Sequence, residues 1–362
     1  MLYLLLAPLR NYWILFNLFR YITFRAFLAG TFSIIFVLAF YPLFIGFLKK
    51  YGIGQRVRVD VLPHHRNKSG IPTMGGILTN LSIFLSLFLF ADLSNRYIQL
   101  AILILFWLGI LGFADDFIKV KKGKPKGLRK RTKFLFQFLL GLIVVLVLYF
   151  FPPSTLMRTK TNFLLFKNVI IDFGLFYIPF VVLFLVGITN AVNFADGLDG
   201  LSCGLCGITA GFYAVLCYVT GHAKIAGYLN LLHLGNAGEG AVLGLSVVGA
   251  ALGFLWFNSY PAEIFLGDTG SLPLGGLLAF LAIVAKQEIL FIFAGGVFIL
   301  EVGSVVLQVL YFRLTRGKRI FLMTPLHHHF EKKNWPEPKI VQRFYIIAIL
   351  SGFLALATLK IR

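Results

Sequence analysis

Residues 101–116 read AILILFWLGILGFADD, an apolar run that stops on two adjacent acids, Asp115 and Asp116. With the residues before it from 97 onward, the run approaches the roughly 20 apolar residues that a helix needs to cross a bilayer. The same pattern recurs along the chain. Apolar runs lie near 26–48, 74–92, 97–114, 134–151, 174–192, 200–219, 239–257, 270–286, 289–312 and 341–360. The expected fold is therefore an all-α polytopic membrane protein of about ten transmembrane helices.

Composition points the same way. The chain of 362 residues is 59% hydrophobic and 13% charged, whereas soluble domains run at about 45–50% apolar and about 25% charged. No soluble domain fits between the runs, so 1–362 is expected to form one integral-membrane domain. Met1 to Arg20 is aromatic and apolar with Arg10 and Arg20, which suits an interfacial helix ahead of the first span. The stretch 152–173 alternates apolar and polar residues after Pro152-Pro153, which suits a short hairpin lying on the outer surface.

Lys and Arg number 34 against 14 acids, a net charge of +20. In a chain this apolar, the basic excess argues against nucleic acid and leaves membrane lipids and phosphorylated ligands as partners. Alternate assignment puts loops 49–72, 115–133, 193–199, 258–269 and 313–340 on one side. That side holds most of the basic residues, among them Lys49, Lys50, Arg58, Lys68, Lys119, Lys133, Arg313 and Lys339. The positive-inside rule makes it cytoplasmic and places both termini opposite.

Five of the fourteen acids fall on that side in three motifs: Ala114-Asp115-Asp116-Phe117, Asn193-Phe194-Ala195-Asp196-Gly197-Leu198-Asp199-Gly200 and Gly267-Asp268-Thr269-Gly270-Ser271. A charge near hydrocarbon is costly unless a metal, a cation or a substrate accompanies it. Neighbouring helical residues diverge by about 100°, so Asp115 and Asp116 can share one ligand if the helix ends there. Lys119 is spaced to join them. Asn193, Asp196 and Asp199 recur every third residue, a spacing that one helical turn would gather. Asp268 or Thr269 is a natural N-cap, and an Asp at a helix N-terminus can hold a divalent metal beside a phosphate. The plainer readings are a solvated helix end, a polar turn and a simple cap.

Pro325-Leu326-His327-His328-His329 looks like a metal tract, yet three consecutive histidines cannot all face one ion from a helix. Phosphate or substrate contacts suit them better. Glu301, mid-span, is a functional candidate or a hydrogen-bonded packing residue, with Gln308 two turns further on the same face. His65 to Gly76 offers a cation, a turn and a glycine pair, without P-loop spacing. Cys203, Cys206 and Cys217 read as small packing residues in one apolar helix.

Several of these stretches carry a family resemblance: Pro72-Thr73-Met74-Gly75-Gly76, Asp115-Asp116, Asn190 to Asn193 with Asp196-Gly197-Leu198-Asp199-Gly200, Phe265 to Ser271, and Pro325 to His329. Together they resemble the phospho-N-acetylmuramoyl-pentapeptide transferases, a branch of the polyprenyl-phosphate N-acetylhexosamine-1-phosphate transferases, through essentially the whole chain. The resemblance implies a ten-helix enzyme of the bacterial inner membrane, commonly dimeric and Mg²⁺-dependent, acting in peptidoglycan synthesis. Such enzymes transfer phospho-MurNAc-pentapeptide from UDP-MurNAc-pentapeptide to undecaprenyl phosphate, giving lipid I and UMP.

On that resemblance Asp268 is expected to be the principal Mg²⁺ ligand, with Asp115 and Asp116 supporting it and His327 joining the catalytic set. Asn193, Asp196 and Phe265 would line the uridine side. Lys68, Thr73, Lys119, Lys133, Asp199, Asn258, Gln308, His328 and His329 would contact substrate. Ala195 and Phe194 depart from the family's usual Thr and Leu. Two other classes compete. A sister transferase would use UDP-GlcNAc, and an ion-coupled transporter would place its acids inside the spans.

Overall fold

Inside a bilayer a backbone satisfies its own polar groups, so apolar runs fold as helices. The computed structural model describes residues 2, 5, 14–54, 70–121, 127–152, 158–163 and 170–361. Its helices are α1 (Ile22–Lys50), α2 (Gly76–Phe90), α3 (Arg96–Lys121), α4 (Lys130–Phe150), α5 (Tyr177–Ala195), α6 (Leu201–Gly221), α7 (Ala223–Tyr228), α8 (Glu239–Asn258), α9 (Asp268–Val284), α10 (Phe291–Ala294), α11 (Gly296–Leu314), α12 (Leu326–Lys332) and α13 (Glu337–Ile361). Among the described residues eight helical segments are long and apolar enough to cross a membrane, and α2 and α9 are shorter apolar helices. The chain is an all-α, multi-pass membrane protein.

The bundle is built around α9, in which every residue from Thr269 to Val284 is buried. It packs against α3, α5 and α6, while α8 packs against α1 and α6. Membrane helices approach closely through small residues, and α6, α8 and α9 are rich in Gly, Ala and Ser. The faces of α1, α4, α11 and α13 turned away from this core expose Phe27, Leu43, Phe134, Leu310 and Phe353, as lipid-facing surfaces do.

Three expectations need correction. The third apolar helix does not end at its acids but runs on to Lys121. It can do so because both carboxylates are paired, as described below. Asn193, Asp196 and Asp199 do not share one helical turn: α5 stops at Ala195, Asp196 caps it, and Asp199 lies in the turn before Gly200, whose φ of 80° opens α6. The run 289–312 is two helices, broken at Gly295. Lys68, with the rest of 55–69, lies outside the described residues, as do most of 1–13 and parts of 152–173. In that last stretch β1 (Lys160–Asn162) and β2 (Ile170–Asp172) pair antiparallel, Lys160 opposite Asp172.

A second charged cluster lies just past the C-terminal end of α9. Lys286 and Glu288 are 7% and 1% exposed. Lys286 Nζ donates to the Tyr177 hydroxyl at 2.7 Å and to the Arg158 carbonyl at 3.3 Å. Glu288 accepts from Tyr177 at 2.5 Å and from the Thr161 hydroxyl of β1. Tyr213 donates to the Gln287 carbonyl at 3.0 Å. Burial pushes the Lys286 ammonium down to about 8, with the Glu288 charge opposing it. Burial likewise raises the Glu288 carboxyl, with Lys286 opposing.

Candidate active site

The polar site forms where α9 begins. Gly267 adopts φ 73°, and a Cβ there would run into the Asp116 carboxylate. The left-handed backbone and the absent side chain together let α3 approach the α9 N-terminus. Asp116 Oδ2 accepts the Thr269 amide at 2.9 Å and the Thr269 hydroxyl at 2.8 Å. An acid on α3 thus caps α9, where the helix dipole favours negative charge.

Asp115 turns elsewhere. Its Oδ1 accepts the Leu128 amide at 2.7 Å, and its Oδ2 faces Lys119 at 2.6 Å and Lys133 at 2.8 Å. Asp268 completes the group. Its Oδ1 accepts from Asn193 Nδ2 at 2.9 Å, and its Oδ2 meets Lys119 at 3.2 Å and also Lys133. Lys119 reaches Asp116 as well, at 3.3 Å. Lys119, and not a helix end, joins the adjacent acids, while Lys133 ties Asp115 to Asp268.

Oxygens of Asp115, Asp116 and Asp268 lie within 4.8 Å of one another. The side chains of Asp115 and Asp116 are 0% and 5% exposed, while those of Lys119 and Lys133 are 31% and 22% exposed. The lysines are therefore the accessible members. Three carboxylates against two ammoniums leave one negative charge in surplus. An all-oxygen donor set of that charge fits a hard divalent cation such as Mg²⁺.

The surrounding residues sort by what they touch. Pro72 to Gly76 is joined to the loop before α9 by backbone bonds: Phe265 N to Pro72 O at 2.8 Å, Gly75 N to Phe265 O and Gly76 N to Leu266 O, both at 2.9 Å. Thr73 is buried beside Gly267, and Phe265 is half-buried on this joined edge. Asn193 also donates to Ser271 Oγ at 2.8 Å. Asp196 lies at the end of α5, where burial pushes its carboxyl up to about 8, with the Asp268 and Asp116 charges adding to the rise.

Other expected contact residues spend polar atoms on loops. Asn258 accepts the Gly200 amide at 3.0 Å and donates to the Ile264 carbonyl at 2.8 Å. Asp199 accepts the Ala262 amide at 3.1 Å. Gln308 accepts the Ile320 and Phe321 amides at 3.1 and 2.9 Å. These bonds shape the segments that bound the site.

The histidines of α12 face three ways. His327 is buried, and its ring Nδ1 and backbone amide meet Glu301 at 3.2 and 3.3 Å. Its Nε2 is buried without a hydrogen-bond partner among the described residues and lies against Gly197, where a side chain would collide with the ring. His328 Nδ1 pairs with Glu331 at 2.6 Å, and His329 Nδ1 accepts the Leu322 amide at 3.1 Å. Glu301 is thus the fixed partner of His327, setting its ring from the Nδ1 side.

Sequence reasoning passed over Thr269 and Ser271 as partners of the acids, although Thr269 had stood out as an alternative cap. The Glu301–His327 pair, 26 positions apart, has no local signal.

A family model for glycosyl transferase family 4 matches residues 98–286, just over half the chain and the part that holds all three clustered acids. A phospho-N-acetylmuramoyl-pentapeptide-transferase of Thermodesulfovibrio yellowstonii is 47% identical over 362 residues, the whole of both chains. Proteins of the same name from Citrifermentans bemidjiense and Oleidesulfovibrio alaskensis are 47% and 45% identical, again over the whole of both chains. On identity that runs from end to end, the chain belongs to the phospho-N-acetylmuramoyl-pentapeptide-transferase family.

Proposed function

We propose that this chain transfers phospho-MurNAc-pentapeptide from UDP-MurNAc-pentapeptide to undecaprenyl phosphate, releasing UMP and forming lipid I. The observation that carries the reading is the junction of Asp115, Asp116 and Asp268 with Lys119 and Lys133, drawn from three separate helices. Phosphoryl transfer demands positioning and charge neutralisation more than covalent help, and this junction offers both. Ten spans are proposed, the eight long segments plus α2 and α9. Both termini would lie outside, and the site would face the cytoplasm of a bacterial inner membrane. A homodimer is the expected assembly.

Asp268, Asp115 and Asp116 would hold Mg²⁺, which when bound would neutralise phosphate oxygens and ease the departure of UMP. Lys119 and Lys133 can leave their carboxylates to meet non-bridging oxygens of the incoming phosphates. Asn193, Asp196 and Phe265 would line the uridine side. The lipid phosphate carries its own nucleophilic oxygen. Asp115 would take its remaining proton as that oxygen bonds to the sugar-linked phosphorus and the bond from that phosphorus to the UMP oxygen breaks. A two-step route through an aspartyl phosphate is the rival. Labelled phosphate trapped on Asp115, Asp116 or Asp268 without lipid would replace the direct route with it.

The test is UMP release by purified protein given undecaprenyl phosphate and either UDP-MurNAc-pentapeptide or UDP-GlcNAc. Turnover with the first, lost on chelation and restored by Mg²⁺, is expected. Turnover with UDP-GlcNAc alone would overturn the substrate assignment. Labelling that puts positions 116 and 268 on opposite sides of the membrane would overturn the site.

A further inference from the structure

The end of α12 and the first turns of α13 enclose a groove of about 320 Å³, walled by Phe330, Trp335, Ile340, Phe344 and Ile347 with Arg343 at its rim. Phe330 and Trp335 stack with ring centres 4.7 Å apart. The Arg343 guanidinium lies 4.3 Å from the centre of the Trp335 ring, and the Lys339 ammonium lies 5.8 Å from it. Lys332 and Lys333 are exposed nearby. The neighbouring acids point to other partners: Glu331 to His328, and Glu337 to the Asp199 amide at 2.6 Å. Ile346 also lines the groove, and Leu350 and Phe353 further along α13 are exposed apolar residues.

An apolar trough that opens toward lipid and carries a Trp and two cations with no acid partner among the described residues has the chemistry of an interfacial lipid site. We infer that this groove binds one anionic phospholipid of the surrounding leaflet, an acyl chain lying in the trough and its phosphate held by Arg343 and Lys339. The transferred lipid is a poorer occupant. Its phosphate must reach the acids and lysines of α3, α4 and α9, whereas α13 packs against α6, α10, α11 and α12. A second copy of the chain would bring the same cations to the same rim.

The site would act on its neighbours through existing bonds. Helix α13 touches the 196–200 turn twice, through Glu337 to the Asp199 amide and through the Tyr345 hydroxyl to the Gly200 carbonyl at 2.6 Å. Phe330 lies on α12, the helix that carries His327. A lipid filling the groove would brace α12 against α13 and so steady both elements. The binding itself stands apart from the proposed transferase reaction.

The experiment is native mass spectrometry of the full chain, released from detergent containing equal phosphatidylglycerol and phosphatidylcholine. Wild type should retain phosphatidylglycerol preferentially. Arg343→Gln, a change at an exposed side chain, should weaken that retention about fivefold, the loss expected for one surface cation. Ile347→Trp fills the trough with every cation in place and should lose retention too. Wild-type phosphatidylglycerol preference in both variants would overturn the site. So would undecaprenyl phosphate displacing phosphatidylglycerol from wild type but not from Arg343→Gln. A change in dimer fraction with lipid retention untouched would assign the groove to a second copy and also overturn it.

Discussion

The two ends of α9 each hold a cluster of charges, and the clusters are built to opposite rules. At the N-terminal end three carboxylates share two lysines, the charges do not balance, and the lysines are partly exposed. At the far end Lys286 and Glu288 balance, and Tyr177, Thr161 and the Arg158 carbonyl hold them in a nearly sealed space. A sealed, fully bonded pair fixes geometry, and its breakage leaves a buried charge uncompensated. An open and unbalanced cluster can exchange its internal partners for a ligand. Burial alone does not distinguish a site from a strut; accessible counter-charge does.

The strongest attempt to break this contrast is Asp268→Asn. Asp268 joins Asn193 to both lysines, so the change should cost roughly 10³-fold in turnover, the scale seen when one preorganised electrostatic group is lost. Folding should change little, because Asn keeps the shape and relieves the surplus negative charge. Steady-state UMP release together with a thermal melt measures both. Near-normal turnover would place this cluster with the struts.

Glu288→Ala makes the reverse test. It strands Lys286, Tyr177 and the Thr161 hydroxyl in a buried space and should cost about 3 kcal/mol of stability. Turnover per folded molecule should stay within about twofold, since α9 separates the two clusters. Turnover that fell in step with the melting temperature would show that the far end is not a passive anchor.

Glu301 tests the middle ground, being sealed like the far cluster yet bonded to His327 beside the Gly197 turn. Glu301→Gln preserves shape and weakens a charge-assisted bond, so kcat should fall about tenfold with KM nearly unchanged. A rise in KM alone would mean that His327 serves binding only.

How much of this was readable beforehand follows the same physics. The spans were legible because each apolar run must become a helix in lipid. The acids stood out because they are few. What the sequence hid were partners distant in the chain. The apolar run stops at Asp115 and Asp116, and partners distant in the chain, Lys133 and Thr269, join Lys119 in letting α3 continue. Asn193 meets Asp268, 75 positions on, which no spacing announced, and the equal spacing to Asp199 meant nothing once α5 stopped at Ala195. Asn258 was expected at the substrate from the family resemblance, which carries no sign of its bonds to the Gly200 amide and the Ile264 carbonyl. Lys286-Gln287-Glu288 carried no signal in the sequence, since nothing local shows that Tyr177 and β1 close over it.

The smallest effect tests whether the far cluster is truly sealed. Burial holds Lys286 near 8 in the folded chain, below the ordinary lysine value of about 10.4. Between those values the unfolded chain binds a proton that the folded chain has released, so stability must rise with pH through that window. The gain is bounded by about 1.4 kcal/mol per pH unit. Glu288 contributes with the opposite sign, because its raised carboxyl keeps a proton that the unfolded chain gives up first. Comparing melting temperatures of wild type and Lys286→Met isolates the lysine: their difference should move in favour of wild type from pH 8 to pH 10. A difference that stayed flat across that range would mean that water reaches Lys286, and that the two ends of α9 differ in counter-charge but not in access.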